Sequence, residues 1–173
     1  MTEEFRAAEH HGSATVRHQQ AMRYHREAAT HYQLGKDYAH AAHMALVAHG
    51  YGWQAIDHGE QANTFYIDEA AKSASGPTST VPPFPSRSIE ATGIEQAALD
   101  CQAHHVSAAD HHEHAARQHD EASKHCGAKI YSLAARAAQI AHSHALQATF
   151  HSNEAAKHHA EYYGKSRPTA ELT

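Results

Sequence analysis

Alanine and histidine alternate in steps of three and four residues along two separate stretches of the chain. These steps place the alternating residues on one stripe of an α-helix. Histidine takes every second position of the stripe, where a coiled coil normally has leucine or isoleucine. The ladder histidines are His11, His18 and His25 in the first stretch and His105, His112 and His119 in the second. We therefore predict two helices whose inner face is made of alanine and imidazole.

Two further stretches, 41–62 and 134–155, carry a seam of small residues at the same helical spacing. Small side chains allow neighbouring helix backbones to approach closely. At 100° per residue, the histidines of these stretches fall on the two flanks of each seam. The flanking histidines are His49 and His58 beside the first seam and His142 and His151 beside the second.

Turn residues separate the four stretches. The longest break is rich in Pro, Ser and Thr, and shorter breaks occur near Gly35 and Gly127. Such segments do not continue a helix. The predicted helices cover 3–33, 37–73, 89–126 and 129–164. The predicted organisation is one bundle domain made of a helical hairpin over 1–73, a linker over 74–88, a second hairpin over 89–164 and a flexible tail over 165–173.

The two halves of the chain repeat each other. The segment HREAATH at His25–His31 matches HDEASKH at His119–His125, an offset of 94 residues that becomes 93 after the turn because Gly35 has no counterpart. Seven histidines coincide under this overlay. The sequence therefore predicts an all-α protein, a four-helix bundle of up-down-up-down topology built from two tandem helical hairpins.

The heights of the histidines follow if each hairpin is folded about its turn and the two hairpins are kept in register. Each layer then receives one histidine from each helix. One layer is expected to hold His11, His58, His105 and His151, and a second His18, His49, His112 and His142. A weaker third layer is expected to place His25 and His119 near His40 or His43.

Composition limits the classes of function. Only 20 residues are Leu, Ile, Val or Phe, so the core must be thin and lined by alanine. The formal net charge is −5 and no stripe of Lys and Arg stands out, which argues against a nucleic-acid partner. No apolar run is long enough for a membrane span, and the acidic start of the chain lacks a secretory signal. Two cysteines without a CxxC pair favour a reduced, cytoplasmic protein.

Several imidazoles at one level of a bundle favour binding of copper or zinc, because imidazole nitrogen suits these ions. Bound ions would also stabilise a bundle with a thin core. The two cysteines lie on the histidine stripe, where their thiols would favour a soft ion such as Cu(I) if they face the interior. The candidate ligands are His11, His18, His25, His49, His58, His105, His112, His119, His142, His144, His151, Cys101 and Cys126. Histidines 10, 31, 104 and 125 are expected off the stripe, and histidines 111, 114, 158 and 159 are expected in solvent.

Enzyme signatures are absent from the sequence. It contains no HExxH, no paired Glu-x-x-His, no GxSxG, no P-loop and no GxGxxG. No catalytic residue is therefore assigned. The linker is long enough for two chains to exchange hairpins as a homodimer.

The stretches AAEHHGSATVRHQQAMRYHREAATHY and AADHHEHAARQHDEASKH resemble a group of bacterial helical proteins rich in histidine and alanine. The resemblance covers most of both hairpins and implies a four-helix bundle that handles metal ions. The architecture is also similar to that of bacterial copper-storage bundles, with histidine in place of their many cysteines.

Three hypotheses follow. The first is storage, buffering or sequestration of copper or zinc at histidine layers between helices. The second is a structural or interaction bundle whose histidine core responds to pH near 6.5. The third is a metal-dependent redox enzyme, which would need an open coordination position.

Overall fold

The computed structural model describes the backbone of residues 3–73 and 94–163 and the side chains of 3–67 and 96–161. These residues form four long helices, close to the predicted bounds. The helices are α1 (Glu3–Gln33), α2 (Tyr38–Ser73), α3 (Ile94–Gly127) and α4 (Tyr131–Tyr163). The predicted linker over 74–88 and tail over 165–173 lie outside the described residues, as does the beginning of the third predicted helix.

Both predicted turns are present. Gly35 and Asp37 adopt positive φ values of 62° and 51° between α1 and α2, and Lys129 does so at 61° between α3 and α4. The Asp37 carboxylate accepts a hydrogen bond from the backbone N–H of His40 at 3.0 Å. This bond caps the first turn of α2, where the helical N–H groups lack partners. Each half of the chain is therefore a helical hairpin, as the repeat predicts.

The two hairpins pack together as a four-helix bundle in which α1 contacts α2 and α3, while α4 contacts α3 and α2. Hydrogen bonds fix the relative direction of α1 and α3. Thr15 of α1 donates to the carbonyl of Ala116 in α3, and Ser123, further along α3, donates to the carbonyl of Ala8, nearer the start of α1. The helices α1 and α3 are therefore antiparallel.

This direction differs from the expected topology. In an up-down-up-down bundle α1 and α3 would be parallel, whereas here the order of directions is up-down-down-up. The sequence could not decide between them, because the 20 residues between α2 and α3 can extend to about 66 Å. A helix of 36 residues is about 54 Å long. The connection can thus reach either end of the bundle.

The core is lined by small residues and filled by imidazoles. Alanines at heptad positions of all four helices are fully buried, including Ala14, Ala48, Ala108 and Ala141. The largest fully buried side chains of the described part are six histidines and two cysteines. Several large apolar side chains lie outside instead, with Leu46 69 % exposed. No described helix is long and apolar enough to cross a bilayer.

Candidate metal centre

The six ladder histidines form a single row between α1 and α3, which we call the central row. Each is 2 % exposed or less. Because α1 and α3 are antiparallel, each imidazole of α1 faces one of α3, and the two Nδ1 atoms point at each other. The Nδ1–Nδ1 distances are 3.1 Å for His11 and His119, 3.0 Å for His18 and His112, and 3.2 Å for His25 and His105.

Ring stacking joins these pairs into a continuous row. His119 stacks on His18 with ring centroids 5.5 Å apart, and His112 stacks on His25 at 5.4 Å. Paired and stacked contacts therefore alternate along the bundle axis. The order of rings is His11, His119, His18, His112, His25, His105.

A tyrosine closes each end of the central row. At one end the Tyr66 hydroxyl lies 2.9 Å from Nε2 of His11. At the other end Tyr32 stacks on His105 with centroids 5.4 Å apart. A cysteine lies beyond each tyrosine: Cys126 interacts with the Tyr66 hydroxyl.

The partner at the opposite end is Cys101, which interacts with Tyr32. Burial raises the pKa of the Cys101 thiol to about 12 and also raises the pKa of Cys126. Both thiols donate to backbone carbonyls, Cys101 to Ala155 at 3.6 Å and Cys126 to Glu4 at 3.4 Å. The structure therefore places the two candidate cysteines at the ends of the row as protonated thiols, outside the imidazole pairs.

The close approach of α2 depends on two glycines. A Cβ atom at Gly52 would lie 3.1 Å from Cε1 of His112, and one at Gly59 would lie 3.0 Å from Cε1 of His119. Such distances are below ordinary van der Waals contact. The small-residue seam predicted on α2 is thus the wall against which two central imidazoles pack.

Burial keeps the central imidazoles neutral. Loss of hydration lowers the pKa of His11 and His105 to about 4. The same cause, together with a smaller contribution from neighbouring imidazoles, lowers the pKa of His18 and His119 to about 3. The pKa values of the other two members, His25 and His112, lie well below 6.5 for the same reasons.

Some ring nitrogens of the central row have no hydrogen-bond partner among the described residues. In a pair whose Nδ1 atoms face each other, one imidazole donates its Nδ1–H and the other accepts, so each ring also needs a partner for Nε2. Among the described residues, Nε2 of His18 and Nε2 of His25 are buried without such a partner. Burying polar atoms without partners costs roughly 1–3 kcal/mol each. The chain thus bears a cost that a leucine ladder would avoid.

The predicted four-histidine layers are wrong in their composition. The first layer combined His11 with His105, but His11 faces His119 and His105 faces His25. The third layer combined His25 with His119, and these two histidines likewise belong to different pairs. The error comes from the assumption that the two hairpins run in the same direction.

The predicted second layer is correct in part. It lies near the middle of the bundle, so reversing the direction of the second hairpin leaves its histidines at the same height. His18 faces His112 as predicted. His142 is close enough to lower the pKa of His18 and His119, and His49 does the same to His25 and His112. His49 itself contacts Ser152 at 3.3 Å and accepts from the Trp53 indole at 2.8 Å.

Two further predicted ligands, His144 and His151, lie on a second line of imidazoles between α3 and α4, which we call the outer row. Four of its six imidazoles are half-buried, and it repeats the geometry of the central row. Nδ1 of His104 lies 3.0 Å from Nδ1 of His151, and His111 faces His144 at 3.2 Å. His111 also stacks on His151 at 5.5 Å. The outer row runs in the order His158, His104, His151, His111, His144, His114.

Four members of the outer row, His104, His111, His114 and His158, were not among the predicted ligands. His104 was expected off the stripe, and His111 and His158 were expected in solvent, yet His158 is only 4 % exposed. His159, also expected in solvent, is half-buried and bonded to the Tyr32 hydroxyl at 2.7 Å. A signal was present in the adjacent pairs His10-His11, His104-His105 and His111-His112. The second residue of each doublet joins the central row, and the first turns by 100° toward its own hairpin partner.

Among the described residues of the first hairpin, one pair is equivalent to the outer pairs. His10 faces His58 at 3.4 Å between Nδ1 atoms, matching His104 and His151. At the next position Arg17 lies over the Tyr51 ring at 5.7 Å, where the second hairpin has an imidazole pair. The duplication therefore covers the central row fully and the flanks only in part.

One end of the central row borders a cleft of about 390 Å³ between α2 and α4. Tyr32, His49, His105 and His159 all contribute to its lining. His105, the last imidazole of the central row, therefore forms part of the wall of this cleft.

In both rows the ligand atoms of the described residues come together as pairs and not as sets of three or four. The only group in the described ranges that brings three ligand atoms within 4.8 Å of one another lies elsewhere, at the α1–α2 turn. No protein-family model, curated protein or solved structure matches the chain. The resemblance to histidine-rich bacterial bundles stays a prediction.

Proposed function

We propose that this protein binds copper as Cu(I) between the paired histidines of the central row, for storage or buffering. One observation supports the proposal most. Among the described residues, six cross-helix histidine pairs, three in the central row and three on its flanks, place Nδ1 against Nδ1 at 3.0–3.4 Å. A hydrogen-bonded core alone has no need of the same atom pair six times.

The number of ligands favours Cu(I) over zinc. Zinc in proteins takes four ligands, and each pair in the rows offers two. Soft Cu(I) accepts two nitrogen ligands. It also carries one positive charge where zinc carries two, and the cost of burying an ion among neutral imidazoles rises steeply with its charge. Zinc therefore remains the second choice for the central row.

The geometry requires a small adjustment. With metal–nitrogen bonds of about 2.0 Å, a linear ion separates its two nitrogens by about 4 Å. Each pair, now 3.0–3.2 Å apart, would open by less than ~1 Å. The imidazole that donates Nδ1–H would move its proton to Nε2, leaving two lone pairs for the ion. Successive pairs are one heptad apart, about 10.5 Å along the axis, so neighbouring ions would repel only weakly.

Several similar sites inside a closed bundle favour storage or buffering over catalysis. A catalytic metal keeps a position open to substrate, whereas the central imidazoles are shielded by four helices. The outer pairs are half-buried and reached by water, so we expect them to bind Cu(I) more weakly than the central pairs. The cytoplasmic location and the homodimer stay predictions.

The test is anaerobic titration of untagged protein with Cu(I) in competition with a chromophoric chelator, together with elemental analysis. We expect three tight Cu(I) ions per chain. The double variant H18L/H112L removes one central pair and replaces both partners by apolar groups, a change that can leave stability unaltered. It should bind two tight ions. The control H43Q changes an exposed histidine outside both rows and should bind three.

Two outcomes would overturn the proposal. One is a folded wild-type chain that takes up no Cu(I) against the competitor. The other is an H18L/H112L variant that is folded, judged by circular dichroism, and binds as many tight ions as wild type.

The second candidate function is a pH-sensitive structural bundle without metal. The six neutral central imidazoles support it, since they must become charged in acid. The copper titration separates the two functions, because this candidate predicts no metal uptake. No described residue favours the redox-enzyme hypothesis.

A further inference from the structure

The α1–α2 turn brings together two imidazoles and a carboxylate, away from both histidine rows. Glu27 and His31 are four residues apart on α1 and so lie one above the other on the same helix face. His40 comes from the first turn of α2. One ligand atom from each of these three side chains lies within 4.8 Å of the others.

The contacts within this cluster are direct. Nε2 of His40 lies 3.5 Å from a carboxylate oxygen of Glu27. The rings of His31 and His40 meet edge to face with centroids 4.6 Å apart. The Asp37 cap fixes the backbone of His40, so its side chain leaves α2 at a defined position. The cluster is therefore held by both helices of the first hairpin.

We propose that Glu27, His31 and His40 form a separate surface site for a divalent ion, zinc. Two imidazoles and one carboxylate are three ligands of the kind that zinc takes in proteins, with water in the fourth position. Glu27 and His40 are 47 % and 39 % exposed, so water can reach the ion. The carboxylate offsets part of the double charge, which the neutral histidine pairs cannot do. This proposal does not depend on copper binding in the central row.

The second hairpin supplies a matched comparison. Under the internal repeat Glu27 and His31 correspond to Glu121 and His125, but His40 corresponds to Leu133. The second hairpin thus has two of the three ligands and lacks the third. In addition, Glu121 pairs with Lys124 at 2.9 Å. The proposal assigns the site to the first hairpin alone.

The experiment uses the full chain, with Zn(II) added at pH 7.5 and the imidazole rings followed by long-range ¹H–¹⁵N correlation. We expect the first equivalent of zinc to shift the ring signals of His31 and His40. The variant H40L introduces the residue of the second hairpin and should weaken this binding at least as much as the roughly 10–100-fold caused by loss of an outer-sphere partner. The control E121Q/H125Q alters the incomplete copy and should retain wild-type affinity.

The proposal is overturned if the first equivalent of zinc shifts other histidines and leaves these two unchanged. It is equally overturned if H40L binds as tightly as wild type, or if E121Q/H125Q loses the site. A Cu(I) titration of H40L identifies failures of the other proposal: three tight Cu(I) ions in H40L are expected whether or not the zinc site exists. Absence of Cu(I) uptake would count against the central row only.

Discussion

The central and outer rows are built from the same unit in different surroundings. Each consists of imidazole pairs that face each other through Nδ1 and are joined by stacked rings. The central row is shielded by four helices, whereas the outer row lies between two and is half-buried. In the other hairpin the outer pair of His111 and His144 is replaced by Arg17 and Tyr51.

The two rows share their ring geometry and differ in burial, so their comparison shows which properties depend on burial. The paired and stacked geometry does not require full burial, because it occurs in both rows. Burial decides whether the rings must stay neutral. Inside, an arginine would be a buried charge without a partner, while at the edge Arg17 replaces an imidazole and lies over an aromatic ring.

The largest effect that distinguishes the rows should come from acid. The folded-state pKa values of the central histidines lie below 6.5, so the unfolded chain binds more protons as the pH falls below that value. Stability is thus fully present above pH 6.5 and is lost as the pH falls toward 3–4. Each central histidine lowers the free energy of unfolding by about 1.4 kcal/mol for each pH unit below 6.5, and six together lower it by about 8 kcal/mol per pH unit.

The whole folding stability of a typical domain is about 5–15 kcal/mol, so a fall of one to two pH units is enough to remove it. We expect metal-free protein to unfold cooperatively between about pH 6 and pH 4.5, followed by far-UV circular dichroism. The H18L/H112L variant should show a slope smaller by about 3 kcal/mol per pH unit, because two of the central groups are gone. A helical signal unchanged down to pH 4 would show that the central rings are not neutral and buried as described.

A smaller effect should follow from closing the space beside the central row. G52A and G59A each place a Cβ about 3 Å from an imidazole carbon. Overpacking of this kind typically costs about 1–3 kcal/mol, measured by urea unfolding. The matched control is G50A on the same helix, where an added Cβ meets nothing within 4 Å. It should stabilise by about 0.5–1 kcal/mol, because alanine favours helix over glycine. Equal effects at all three positions would mean that α2 does not touch the row.

The smallest effect should come from replacing an outer imidazole pair of the second hairpin by the residues at the equivalent positions of the first. H111R/H144Y gives the second hairpin the Arg17–Tyr51 pair of the first. The change in unfolding free energy should stay within about 0.5–1 kcal/mol, since half-exposed cation–π pairs contribute about that much. Substitution H112R, one residue further along, should prevent folding because it buries an unpaired charge. If H111R/H144Y also unfolds the chain, the outer row belongs to the core.

Much of this architecture could be read from the periodicity of the chain. The step from His11 to His18 to His25 identified the central row, and the overlay identified its other half. The direction of the second hairpin could not be read, because an overlay of two repeats gives the same matches for parallel and antiparallel packing. His18 and His112 were paired correctly only because they lie at the centre of the reversal.

The outer row was less visible for a different reason. Its members do not fall on the main stripe of either helix, and the pairing of His104 with His151 depends on how far each helix is rotated about its axis. Rotations of this size are set by side-chain packing, which a spacing rule does not contain. The cluster of Glu27, His31 and His40 likewise depends on the geometry of one turn.

The antiparallel packing of α1 and α3 makes the central row a palindrome. Read from Cys126 or from Cys101, the sequence of groups is the same: a thiol, a tyrosine, six imidazoles, a tyrosine and a thiol. The order of groups therefore gives the row no polarity and would favour travel of a bound ion in neither direction. Any preference for filling or emptying at one end must come from what lies outside the row, such as the cleft beside His105.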